Sequence, residues 1–112
     1  MSTNLPKTIE TYSRALNIYD SELLAECFTE DATFKDEGKE YQGLDAIKAH
    51  IIEINNNPKV KTVVTNSIDS NGETIVTAIV SGNFDGSPIQ LNFHFTLANQ
   101  KITLLNIVLA GE

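Results

Sequence analysis

Ile89-Gln-Leu-Asn-Phe-His-Phe-Thr-Leu-Ala98 alternates apolar and polar residues over its whole length. In an extended chain successive side chains point to opposite faces, so a period of two marks a strand with one buried side. Ile89, Leu91, Phe93, Phe95 and Leu97 share the apolar face. Gln90, Asn92, His94, Thr96 and Ala98 share the other. A one-residue slip would exchange the two faces, so the pattern fixes which side meets the core.

Working outward, the spacing predicts three more strands around this one. They cover Val60 to Ile68, Thr74 to Phe84 and Ile102 to Leu109, joined by turns at Asn71-Gly72, Asp85-Gly86 and Asn99-Gln100. Asn-Gly and Asp-Gly pairs tolerate the positive φ angles of tight hairpins, so an antiparallel meander is expected.

The first half reads as helical. Ile9, Tyr12, Leu16 and Tyr19 recur at three- and four-residue steps and predict a helix from Pro6 to Ile18. Proline suits its first turn, where no N–H is needed. Asp20 and Ser21 offer N-caps for a second helix. Leu23, Leu24, Cys27 and Phe28 give that helix an apolar face, and Thr29-Glu30-Asp31 end it. Ala32, Phe34 and Asp36 alternate with Thr33 and Lys35 as a short strand. Glu37 to Glu40 form a turn, and Tyr41-Gln42 begin a return strand. Leu44, Ile47, Ile51 and Ile54 mark a third helix, Leu44 to Asn55, stopped by Asn55-Asn56-Asn57-Pro58. Helices first and strands second indicate an α+β domain rather than βαβ units.

The 112 residues suffice for one core, so a single domain over residues 1–112 is expected. Fifteen acidic against eight basic residues give a net charge of −7. Nucleic acid and anionic membrane surfaces both require a basic face, so neither is an expected partner. The polar segment Met1 to Lys7 does not read as a signal peptide, and no apolar run approaches a membrane span. Cys27 is the single cysteine, which suits a reducing compartment; a cytoplasmic location is expected. It sits on an apolar helix face, as inert core cysteines do. No histidine, cysteine or carboxylate spacing suggests a metal, and no glycine-rich phosphate loop or nucleophile motif is present, so no cofactor is expected.

The segment Asp20-Ser-Glu-Leu-Leu-Ala-Glu-Cys-Phe-Thr-Glu-Asp-Ala-Thr-Phe-Lys-Asp36 resembles the SnoaL-like and ketosteroid-isomerase-like branch of the nuclear-transport-factor-2-like superfamily. There an Asp-Ala phrase follows the second helix and opens a strand. Tyr41-Gln42-Gly43-Leu-Asp-Ala-Ile47 is similar to the family's entry to its third helix. The resemblance covers nearly the whole chain. It implies a cystatin-like curved sheet, a cone-shaped half-barrel, with three helices enclosing a pocket. It further implies a small apolar ligand and a homodimer through the convex face, where Asn92, His94 and Thr96 would meet the partner.

On this resemblance Phe93, Phe95, Ile107 and Leu109 face inward. Phe28, Phe34, Tyr41, Ile51, Phe93, Phe95 and Leu109 form the expected substrate-binding surface. Asp36 falls where ketosteroid isomerases carry their proton-shuttling aspartate. A carboxyl in an apolar pocket can trade protons near neutral pH. The alternative is a solvated aspartate capping a turn. Tyr12 is similar in place to the isomerases' oxyanion tyrosine, or is a core tyrosine. His50, on the pocket side of the third helix, acts with Asp36 as a second acid–base group or serves the structure alone. His94 has the parity of the convex face and is an interface candidate. The isomerases' second oxyanion donor, a protonated aspartic acid, matches Phe95 here, which donates nothing. Their supporting tyrosines match Phe28 and Ile51. The resemblance thus implies either a cofactor-free isomerase, cyclase or dehydratase with Asp36 as base, or a non-catalytic binding or dimerisation module. Transport by protein contacts lacks any docking motif.

Overall fold

A computed structural model describes residues 5–36, 38–56 and 60–110. The elements run α1 (Lys7–Ile18), α2 (Ser21–Glu26), β1 (Phe28–Asp36), β2 (Lys39–Gln42), α3 (Leu44–Asn55), β3 (Val60–Ser70), β4 (Glu73–Gly82), β5 (Ile89–Ala98) and β6 (Lys101–Leu109). The class is α+β: three helices lie on one six-stranded sheet, curled but unclosed. Its strand order is β2-β1-β6-β5-β4-β3. β3 to β6 form the expected antiparallel meander. The one parallel pair joins β1 to β6. Register shifts interrupt β1, β3 and β5–β6 pairing, and extra residues of this kind bend a strand and raise its twist.

Local chemistry explains most of the boundaries. Pro6 is extended, with φ −53° and ψ 145°, and caps α1 rather than sitting in its first turn. The Asp20 carboxylate accepts the Leu23 N–H at 3.1 Å and starts α2, a contact that contributes about 1 kcal/mol. Asn71 and Gly72 both adopt positive φ, 51° and 79°, as a two-residue hairpin demands.

Three expectations are corrected. α2 stops at Glu26, and Phe28 to Asp31 already belong to β1. The cause lies far along the chain: the Cys27 carbonyl accepts the Ile102 N–H at 2.7 Å, which draws the chain into the sheet. The first turn is tighter than expected, since Lys39 and Glu40 pair with Asp36 and Lys35 as strand residues. The Asp85-Gly86 turn is not a two-residue hairpin, because β4 ends at Gly82 and the Ser87 hydroxyl takes the Gly82 N–H at 2.9 Å. Glu37 in the first turn, Asn57-Pro58 after α3, and Met1 to Asn4 lie outside the described residues.

The core lies between the concave sheet face and the helices. Ile9, Tyr12 and Ala15 of α1, Leu24 of α2, and Ile47 and Ile51 of α3 meet Phe34, Val76, Phe93, Phe95, Ile102 and Leu105. Polar contacts then pin the end of α1 to β3. Asn17 bonds both the N–H and the carbonyl of Thr62, and the Tyr19 hydroxyl donates to the Val60 carbonyl at 2.8 Å. These contacts tie the C-terminal end of α1 to the edge strand β3.

Candidate functional site

β1 carries the central residue. Its inward face presents Phe28, Ala32 and Phe34, all buried, and then Asp36, whose side chain is 17% exposed. Alternation thus turns the last residue of the strand inward where the buried layer ends. β6 runs parallel beside it and sets Ile107 opposite Asp36. A cavity of about 1080 Å³ opens here. Leu16 of α1, Ile54 of α3, Val80, Leu91 and Ile107 supply apolar wall, and Asp36 joins them. The second carboxylate on the lining is Asp85, exposed on the loop between β4 and β5.

His50 reaches Asp36 from α3. Its Nε2 lies 3.2 Å from Asp36 Oδ2, and its side chain is 9% exposed. The Tyr41 ring stacks on the imidazole at 4.0 Å and 13°. The Phe34 ring meets it edge-on at 5.4 Å. The aromatic neighbours restrict the imidazole's motion, as apolar packing does for polar groups that must keep one geometry.

The other sequence-predicted residues divide. Leu109 lines the cavity. Phe28, Phe34, Phe93, Phe95 and Ile51 lie in the closed core below it. Tyr41 touches His50 and Phe34 rather than the cavity wall. Tyr12 stands edge-on between Phe28 and Phe95, at 6.0 and 5.4 Å. Burial above all, and then the Asp36 charge, push its hydroxyl far above the usual tyrosine range, so it stays protonated. Tyr12, Phe93 and Phe95 border a void of only about 10 Å³, less than a ligand needs. Burial pushes the Cys27 thiol up to about 11, against a weaker pull from Lys101, and little nucleophilic thiolate exists at neutral pH.

The wall residues Val80, Leu91, Ile54 and the loop Asn83–Asp85 were not singled out from sequence. Leu91 shares the inward face of β5 with Phe93, so its direction was legible. Its place at the mouth depends on the pairing that sets Leu91 against Leu109 and Phe93 against Ile107. His94 lies on the outer face, with Nδ1 3.1 Å from Glu73 Oε1. Among the described residues, no group of three or more histidine, cysteine or acidic side chains could hold a metal ion, and no helix is long and apolar enough to cross a membrane.

Comparison with solved structures places this geometry. A protein from Sinorhizobium meliloti, provisionally assigned as a polyketide cyclase, is 32% identical over 93% of this chain and 95% of its own, with a TM-score of 0.88. A protein of ketosteroid isomerase-like fold from Catenulispora acidiphila, solved with trimethylamine, is 16% identical over 94% of this chain and 86% of its own, at 0.82. A nuclear-transport-factor-2-like protein of unknown function from Cytophaga hutchinsonii is 16% identical over 97% and 92%, at 0.77. The last two likenesses show the fold alone. No curated protein matches the chain. The model of the SnoaL-like domain matches residues 9–105, from the first turn of α1 into β6 and across the Asp36 strand between them, so the chain belongs to the SnoaL-like domain family.

Proposed function

We propose that the cavity binds a small, largely apolar molecule bearing a carbonyl or hydroxyl, and that Asp36 is the general base of a cofactor-free isomerisation, cyclisation or dehydration. One observation carries this reading: a carboxylate on the wall of an apolar cavity, held by a buried histidine 3.2 Å away. Apolar walls with few convergent polar groups are what such chemistry needs. The Asp36 carboxylate takes a proton from carbon next to a carbonyl and leaves an enolate. In isomerisation it returns that proton to another carbon. In cyclisation the enolate carbon bonds to a second carbonyl carbon of the same molecule, and Asp36 gives its proton to the new alkoxide. The identity to the provisionally assigned polyketide cyclase supports the cyclisation form.

Tyr12 is the remaining candidate for the oxyanion. With Phe95 at the other donor position, a two-donor oxyanion hole of the isomerase kind is absent among these residues. Since the Tyr12 ring packs in the core, Tyr12→Phe is expected to fall well short of the roughly hundredfold loss that follows removal of an oxyanion donor. Exchange kinetics of that variant give the check; a larger loss would put the hydroxyl on the reacting oxygen.

The second reading, a binding or dimerisation module without turnover, draws on Phe28, Phe34, Phe93 and Phe95, which are buried together in the core. Enolisable ketones incubated with the protein in D₂O separate the two. Loss of the α-proton signal above the buffer rate supports the base. Shifts of the Leu91 and Ile107 methyl resonances without any exchange support the module. The same proposal pairs two copies through the outer face, where Val63, Ile68 and Ile79 lie exposed near His94. Sedimentation equilibrium is expected to give twice the chain mass, and Ile79→Lys to halve it. The buried Cys27 suits a reducing compartment, and we place the protein in the cytoplasm.

A further inference from the structure

Thr62 is a polar residue in an apolar row. On β3 the inward side chains are Val60, Thr62 and Val64, while Lys61 and Val63 between them are exposed. Val60 borders the cavity, Val64 borders the small void beside Tyr12, and Thr62 borders both. Thr62 is 9% exposed. The Asn17 side chain takes both its N–H and its carbonyl, so the backbone of this edge strand is satisfied. Its hydroxyl is not: among the described residues, none hydrogen-bonds it. Valine has nearly the same shape and would pack in this row with no polar atom. A buried hydroxyl without a protein partner costs stability, and one that faces a cavity can recover that cost from what enters the cavity.

Other polar side chains on the lining are committed or exposed. A carboxylate accepts hydrogen bonds and gives none, so Asp36 does not donate to an oxygen of a ligand. The Tyr19 hydroxyl donates to the Val60 carbonyl, and the Asn55 amide donates to the Ser21 hydroxyl. Asn83 is exposed on the loop after β4. We propose that the Thr62 hydroxyl anchors the ligand by donating a hydrogen bond to one of its oxygens. The proposal rests on the reading of the cavity as a ligand site and stands apart from the role of Asp36. β4, β5 and β6 lie between β3 and β1 in the sheet, so Thr62 and Asp36 address different parts of the ligand. The ligand class narrows accordingly, to apolar molecules with an oxygen function away from the carbon that faces Asp36.

Titration of the whole protein with 2-decalone and with decalin, a hydrocarbon of nearly the same shape, tests the anchor. The methyl resonances of Leu91 and Ile107 report occupancy. Thr62→Val is expected to weaken 2-decalone by about threefold to tenfold, the usual contribution of one hydrogen bond, and to change decalin by less than about twofold. Thr62→Ser keeps the hydroxyl and is expected to keep the preference for ketone over hydrocarbon. Equal changes for the two probes in Thr62→Val overturn the proposal. The ligand-free protein gives a second readout. Its urea midpoint is expected to hold or rise in Thr62→Val, since no hydrogen bond within the protein is lost; a fall would reveal a structural bond and overturn the anchor. Where a ketone is turned over, Thr62→Val is expected to raise KM and leave kcat in place. A fall in kcat at constant KM would put the hydroxyl on the reacting oxygen and overturn the assignment to separate parts of the ligand. If neither probe binds the wild-type protein, the ligand-site reading fails and the anchor with it. If both bind and Thr62→Val does not separate them, the anchor alone fails.

Discussion

Asp36→Asn is expected to lower catalysed carbon–hydrogen exchange by about 10²- to 10⁴-fold, the usual contribution of a positioned general base, with the fold unchanged. Asparagine has the shape of aspartate and keeps an oxygen facing His50 Nε2, so the packing of Phe34, Tyr41 and the imidazole has no reason to shift. The backbone pairing of residue 36 with Lys39 and Ile107 is also indifferent to the side chain. What disappears is the basic oxygen. Asp36→Glu keeps the charge but extends it by one methylene, and is expected to fall between the two proteins. Glu22→Gln provides the control, because that carboxylate is exposed on α2 and does not line the cavity. Exchange rates in D₂O, read beside circular dichroism spectra, give the comparison. Asparagine at position 36 with most of the wild-type rate would remove Asp36 from the chemistry.

Phe34→Ala is expected to destabilise the protein by about 3–5 kcal/mol, as large-to-small changes of buried aromatic residues do. Phe34 is 1% exposed. It stacks with Phe28 at 5.8 Å and 19° and meets Tyr41 and His50 edge-on. Alanine removes the ring from the contact between β1, β2 and α3, three elements that cannot easily collapse onto the space. Since whole domains are stable by only about 5–15 kcal/mol, a large part of the folded margin goes with it. Urea midpoints at constant slope give the measurement. Phe34→Leu fills most of the volume and is expected to cost less than half as much. A change below about 1 kcal/mol for the alanine variant would mean that the core relaxes far more readily than its contacts imply. Because Phe34 also braces His50, the alanine variant is expected to lose exchange activity beyond its loss of stability.

Much of this arrangement was legible in the residues. The period of two in Ile89 to Ala98 set the inward face of β5, and Phe93 and Phe95 are buried there. The stripe Ile47 and Ile51 placed α3 on the core, and its bounds match the structure. Asp36 shares parity with Ala32 and Phe34, and its side chain faces the cavity. Where the reading failed, a distant partner decided. Phe28 looked helical because its neighbours Leu24 and Cys27 share a helix face, yet pairing with Ile102 makes it a strand residue. The aromatic residues read as a binding surface lie mostly in the core, because apolar residues facing inward look alike whether a cavity or another ring stands opposite.

Sequence alone therefore settled the order of the helices and of the meander strands, the α+β class, the faces of the sheet and the family. Each depends on periodicity or short motifs, which act between residues a few positions apart. Tertiary structure decided the rest: the parallel pairing of β1 with β6, the mouth at Leu91 and Ile107, the packing of Tyr12 between Phe28 and Phe95, and the meeting of His50 with Asp36. Those contacts join segments far apart in the chain. Their geometry follows from how the curled sheet and the helices fill one volume together, and no local pattern carries that information.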